Sequence, residues 1–98
     1  MGMTETKFEE KCCDLAKFYG WHHRKLKWIG RRGAADRLFL KDGRAVFVEF
    51  KRPDGTGSLS ANQEREIQKL RDAGAEVWVV DSYVEFREAL GIVNDARD

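Results

Sequence analysis

Ninety-eight residues, 42% of them hydrophobic, make one domain with a single thin core, and no run of about twenty apolar residues is present to cross a membrane. The opening MGMTETKFEE is too charged for a secretory leader, so a cytoplasmic location is expected; the adjacent Cys12 and Cys13 exclude an ordinary mutual disulfide and have no spaced His/Cys companions for a zinc site. Net charge is only +1, yet residues 21–52 hold ten Lys/Arg against three Asp/Glu while residues 53–98 hold five against ten, so a polyanion would dock on the middle third.

In chain order, residues 4–19 form a first helix: Phe8, Cys12, Leu15, Ala16 and Tyr19 recur at helical spacing and Gly20 stops it. One cysteine is expected in the core and the other at the helix rim. Glu5 and Glu9 fall on one flank of the apolar stripe, Glu10 opposite it. WHHRKLKWIG reads as an extended segment ending in the loop GRRGAA. Trp21 and Trp28 are candidates for an interface or for stacking on bases, with core packing as the alternative. His22 and His23 face opposite ways if the segment is a strand, which argues against both being ligands.

Residues 36–40 and 44–50 are apolar runs joined by KDGR, where Asp42-Gly43 suits a two-residue type I′ turn. That turn fixes the register: Lys41 opposes Arg44, Phe39 opposes Val46, Arg37 opposes Val48, and Asp36 opposes Glu49. Two carboxylates then stand face to face, with Lys51 next along on the Glu49 side. After RPDGTGSL, residues 60–73 form a second helix with Ser60 and Gln63 as a capping box, Ile67 and Leu70 inward, and Gly74 as the stop. Gln63 shares the inward phase, so its amide serves either the helix start or a site. EVWVV, Glu76 to Val80, is a buried strand, and residues 82–90 are an amphipathic helix carrying Val84, Phe86 and Leu90. The tail from about residue 94 to 98 is expected to fray.

The order α-β-β-β-α-β-α, with both hairpin faces apolar, implies one α/β domain over residues 1–98: a small mixed sheet flanked by helices, with a parallel crossover between the last two strands. Two opposed carboxylates, a nearby lysine and a further glutamate from the first helix suit Mg²⁺ or Mn²⁺, which take oxygen ligands and keep several waters. Metal-dependent phosphodiester hydrolysis is the reading these residue types favour. The alternative is a surface Glu–Lys pair at a strand end.

GAAD (Gly33 to Asp36) followed after a hairpin by VEFK (Val48 to Lys51) resembles the PD-(D/E)xK nuclease motif. With the acidic first helix, Lys25 before GRRG, GAADRLFL, VFVEFKRP, LSANQ and LRDAGAEVWVVDS, the pattern is similar to the VRR-NUC (virus-type replication-repair nuclease) family over nearly the whole chain. The resemblance implies a restriction-endonuclease-like core. It also implies metal ligation by Asp36, Glu49 and the Phe50 carbonyl, a catalytic Lys51, Gln63 beside the site, and a helix-one acid at Glu9, with Glu5 on the same flank. Lys25, Arg31, Arg32, Arg37 and Arg52 would meet DNA, Lys25 nearest the scissile phosphate. The proline usual before the aspartate is Ala35 here; proline contributes no ligand, so the departure bears on loop rigidity. The minimal form of the family is similar to phage-encoded homodimeric endodeoxyribonucleases that cut branched DNA such as four-way (Holliday) junctions. A less selective nuclease or nickase of replication and repair, and a DNA-binding module without cleavage, are the alternatives.

Overall fold

The structure, a computed structural model, describes residues 4–28 and 35–97. It contains α1 (Glu5–Phe18), β1 (His22–Lys25), β2 (Arg37–Lys41), β3 (Arg44–Phe50), α2 (Ala61–Asp72), β4 (Glu76–Val80) and α3 (Tyr83–Ala89), the expected order of a restriction-endonuclease-like core. Arg31, Arg32 and the rest of the GRRG loop lie outside the described residues.

The four strands form one sheet in the order β1-β2-β3-β4, the first two pairings antiparallel and β3–β4 parallel across the α2 crossover. The hairpin register follows the turn: Asp42 and Gly43 both take positive φ (50° and 80°), as type I′ requires, and Lys41 pairs with Arg44, Phe39 with Val46 and Arg37 with Val48. Because side chains alternate across a strand, Val46, Val48 and Phe50 enter one face of the sheet and Phe47, Glu49 and Lys51 the other.

On the first face, Phe39, Phe50 and Phe86 interlock with ring centroids 5.6–6.3 Å apart, and Phe8 of α1 meets Phe50 edge-on at 6.0 Å. Helices α1 and α3 close this core. On the second face, α2 sets Ile67 over Val77, with Phe47, Leu59 and Leu70 around them.

Three expectations change in detail and one open alternative is settled. Cys12 and Cys13 are both buried, and burial pushes their thiols up to about 12 and about 11, so neither is a nucleophile at neutral pH. Of the two alternatives for Trp21 the structure takes core packing, roofed by the Arg44 guanidinium, which spans the rings of Trp21 and Trp78. Val84 is exposed, because α3 turns Phe86 inward and a residue two places away projects to the far side. Residues 94–97 fold back onto α1: Tyr19 Oη donates to Asp95 Oδ1 at 3.0 Å and accepts from the Ala96 N–H, and Arg97 pairs with Asp95 at 3.1 Å.

Candidate functional site

The site is assembled at the end of the hairpin furthest from its turn. One step beyond the Arg37–Val48 pair, the Asp36 N–H donates to the Val48 carbonyl at 3.0 Å, and the Asp36 carboxyl is hydrogen-bonded to that of Glu49. The regular register ends at Arg37–Val48: the Asp36 N–H turns to the carbonyl of that same Val48, and the two carboxyls meet through their side chains. Burial first, then the neighbouring Asp36 charge, push the Glu49 carboxyl up to about 7, against the pull of the Ala35 N–H and Lys51. Asp36 is also raised, by burial and then by the charge of Glu9. Both carboxyls of the pair are thus held above their ordinary values, as two close and partly desolvated carboxyls are.

Lys51 lies beside this pair. Its Nζ stands 3.8 Å from Glu49 Oε1 and donates to Gln63 Oε1 at 3.1 Å, with the Lys51 side chain 13% exposed. Gln63 Oε1 also accepts from the Ser60 N–H at 3.0 Å, while Ser60 Oγ accepts from the Gln63 N–H, closing the capping box of α2. The two roles open for Gln63 in the sequence are thus filled by one oxygen, which locks the start of α2 to the lysine. Gly57 is a contributor that sequence reasoning passes over. A Cβ there would come 2.9 Å from the Arg52 nitrogen and 3.2 Å from Lys51 Cβ, so only glycine lets the loop lie against the lysine.

Ala35 supplies a further part. It is buried at φ 94°, its N–H donates to Glu49 Oε2 at 2.7 Å, and its carbonyl accepts from Trp28 Nε1 at 3.0 Å. Trp28 in turn lies over Phe47 with centroids 6.4 Å apart, so its ring serves to hold the loop next to Asp36.

Glu9 is buried on α1 and close enough to Asp36 to raise it, but its Oε2 is engaged by the Arg37 Nε–H and stands 3.7 Å from Lys25 Nζ. Arg37, expected to meet DNA, is committed to Glu9 and lies 3.2 Å from His23 Nδ1 through Nη1, its side chain only 17% exposed. The signal was present in the register: Arg37 opposes Val48 and so points to the face α1 covers. Glu5 is half-buried and near enough for its charge to raise Glu49 further. Lys25 is largely exposed at 69%, and Arg52 is exposed beside Asp54 at 3.7 Å. The Phe50 side chain is core, while the next residue's N–H bonds to the Val80 carbonyl, continuing the β3–β4 ladder.

Among the described residues, no group of three or more His, Cys, Asp or Glu side chains is set to hold a metal. What the site offers is a buried Glu49 carboxyl hydrogen-bonded to a half-buried Asp36 carboxyl. That donor set suits a hard divalent cation bound by few protein oxygens and several waters.

No family model matches the sequence, and comparison with curated proteins gives no match. Among solved structures, a chain described as "VRR_NUC domain" superposes with a TM-score of 0.79 at 29% sequence identity, covering 92% of this chain and 97% of that one. This chain has the VRR_NUC fold. Within that fold Asp36, Glu49 and Lys51 stand together at one end of the sheet, flanked by the first helix through Glu9 and by the second through Gln63. Among the described residues of this VRR_NUC-type chain, no helix is long and apolar enough to cross a membrane.

The raised Glu49 carboxyl has a consequence for the metal-free VRR_NUC-type domain. A carboxyl near 7 when folded and near 4.5 when unfolded makes the folded state hold a proton that the unfolded state has lost across that window. Its contribution to stability is complete below pH 4.5 and is lost as pH rises through 7. Thermal melts in EDTA should therefore lose on the order of 2–3 kcal/mol from this group between those limits. Glu49→Gln should flatten that fall, and a wild-type melt independent of pH over this range would contradict the buried pair.

Proposed function

We propose that this chain is a Mg²⁺- or Mn²⁺-dependent endodeoxyribonuclease that hydrolyses phosphodiester bonds in branched DNA, four-way junctions above all, as a homodimer. The observation that carries the proposal is the Asp36–Glu49 pair with the Lys51 ammonium 3.8 Å from Glu49. The VRR_NUC fold, and the nuclease resemblance of GAAD and VEFK within it, support the same chemistry.

Asp36, Glu49 and the Phe50 carbonyl would hold the ion, with Glu9 or Glu5 available from α1. When bound, the ion supplies a Lewis acid that polarises the phosphodiester and acidifies water. Lys51 then orients the attacking water and offsets charge as it builds on the phosphate oxygens. The water oxygen bonds to phosphorus as the bond to the leaving sugar oxygen breaks. Gln63 keeps Lys51 aimed at the pair, and the Ala35 N–H fixes Glu49 Oε2, which leaves Oε1 facing the lysine. Lys25 and Arg52, both exposed, would meet phosphates on either side together with Arg31 and Arg32. One chain has one such site, whereas resolving a junction takes two symmetric cuts, which a twofold dimer provides.

Labelled four-way junction, linear duplex, flap and single strand, each incubated with Mg²⁺, Mn²⁺ or EDTA, test the reading. Cutting of the junction in either metal and none in EDTA is expected, with two protomers per junction by sedimentation. Cutting in EDTA would remove the metal. Cutting of linear duplex alone would leave a nuclease without junction preference, and binding without cutting in every metal would make the chain a DNA-binding module.

A further inference from the structure

The chain from Trp21 to Ala35, WHHRKLKWIGRRGAA, carries five Lys/Arg, two His and no Asp or Glu. Its first part is β1, which pairs with β2 alone and so forms a free edge of the sheet. Beside this edge, at the C-terminal end of α1, a groove of about 280 Å³ is lined by Lys17, Trp21, His22, His23 and Arg24. Lys17, His22 and Arg24 are exposed, and among the described residues neither Lys17 nor Arg24 is paired with a carboxylate. Arg24 instead turns its guanidinium back onto the His23 carbonyl at 2.8 Å, which holds it along the strand. After burial, the charges of Arg37, Lys17 and Arg24 hold the His23 imidazole below its usual value, with Asp14 on α1 the one charge pulling the other way.

The groove runs along β1 from His22 to Arg24, and the next residue, Lys25, stands 3.7 Å from Glu9 at the margin of the acidic site. At about 3.3 Å per residue, His22 and Lys25 stand about 10 Å apart along the strand. That is about three nucleotide steps of a duplex at 3.4 Å each. Free edges are often blunted with charge against pairing, and lysines serve that purpose as well. A groove with no carboxylate in its lining, continuous with the site through a strand of the same sign, goes further than edge protection.

We infer that the groove of Lys17, His22 and Arg24 is a second backbone-binding site for nucleic acid, reached along β1 by the strand that passes the acidic site. This inference rests on the proposed DNA substrate and extends it: the footprint runs about three nucleotides from the scissile phosphate toward the C-terminal end of α1.

Fluorescence anisotropy of a labelled DNA duplex in EDTA, across a series of NaCl concentrations, reads phosphate contacts without cleavage. Lys17→Ala and Arg24→Ala should each lower the slope of log affinity against log salt by about 0.9, and the double variant by about twice that. Lys69→Ala on α2, an exposed lysine outside the groove lining, should leave the slope unchanged. Melting curves establish that each variant is folded, as expected for exposed side chains. A double variant with the wild-type slope, or an equal fall for Lys69→Ala, overturns the groove and leaves the nuclease reading intact. Wild-type protein that binds no DNA overturns both.

Discussion

Lys51→Ala should reduce cleavage by about 10²–10³-fold while leaving DNA binding in EDTA close to wild type. The ammonium is nearly buried, 3.1 Å from Gln63 Oε1 and 3.8 Å from Glu49 Oε1, and so acts where charge is screened least. It is one positive charge among several for binding, but within the described site it is the cation held against the acidic pair by a fixed acceptor. Lys51→Arg should not restore activity, since the loop at Gly57 packs against Lys51 Cβ and a planar guanidinium cannot take the ammonium's place beside Gln63. Gln63→Ala should cost less in cleavage but also destabilise α2 by about 1 kcal/mol through the lost capping box. Cleavage at the wild-type rate by purified Lys51→Ala would place the chemistry elsewhere.

How much of this was legible in the sequence depended on the range of the forces involved. Asp42-Gly43 dictates a turn locally, and the turn dictates a register that runs to Arg37 and Val48, so counting leads to the neighbourhood in which Asp36 and Glu49 meet. The Ser60–Gln63 box is likewise local, and its second role at Lys51 followed from the phase of one residue. Arg37, which the resemblance assigns to DNA, is turned by strand alternation toward Glu9. Trp21 and the docked tail answer to contacts many residues away: Arg44 over Trp21, Tyr19 against Asp95. Propensity and periodicity carry no information about such meetings. Ala35 escaped for another reason, since nothing in its chemistry announces a positive φ.

Ala35 also supports the second large effect. Restoring the proline usual at this position of the resembled motif would be expected, from sequence alone, to stiffen the loop and stabilise the protein. The structure reverses the sign. Proline holds φ near −65° and has no N–H, whereas Ala35 sits at φ 94° and donates to Glu49 Oε2 at 2.7 Å. Ala35→Pro would remove a buried hydrogen bond to a carboxyl, of about 1.5–3 kcal/mol, and force the backbone out of its native region at a similar cost. A loss of about 4 kcal/mol or more is expected in thermal or urea unfolding and, with Glu49 in its proposed metal role, Mg²⁺ should not raise the melting temperature of this variant, because Glu49 is no longer held. Ala35→Gly isolates the backbone term. It relieves about 1–2 kcal/mol of left-handed strain but gives up a buried methyl of about 0.8 kcal/mol and adds about 0.5–1 kcal/mol of unfolded-chain freedom. These nearly cancel, so the glycine variant should melt within about 1 kcal/mol of wild type and keep its Mg²⁺ response. A proline variant as stable as wild type would mean that the Ala35 N–H does not hold Glu49, and the acidic pair would then need another support.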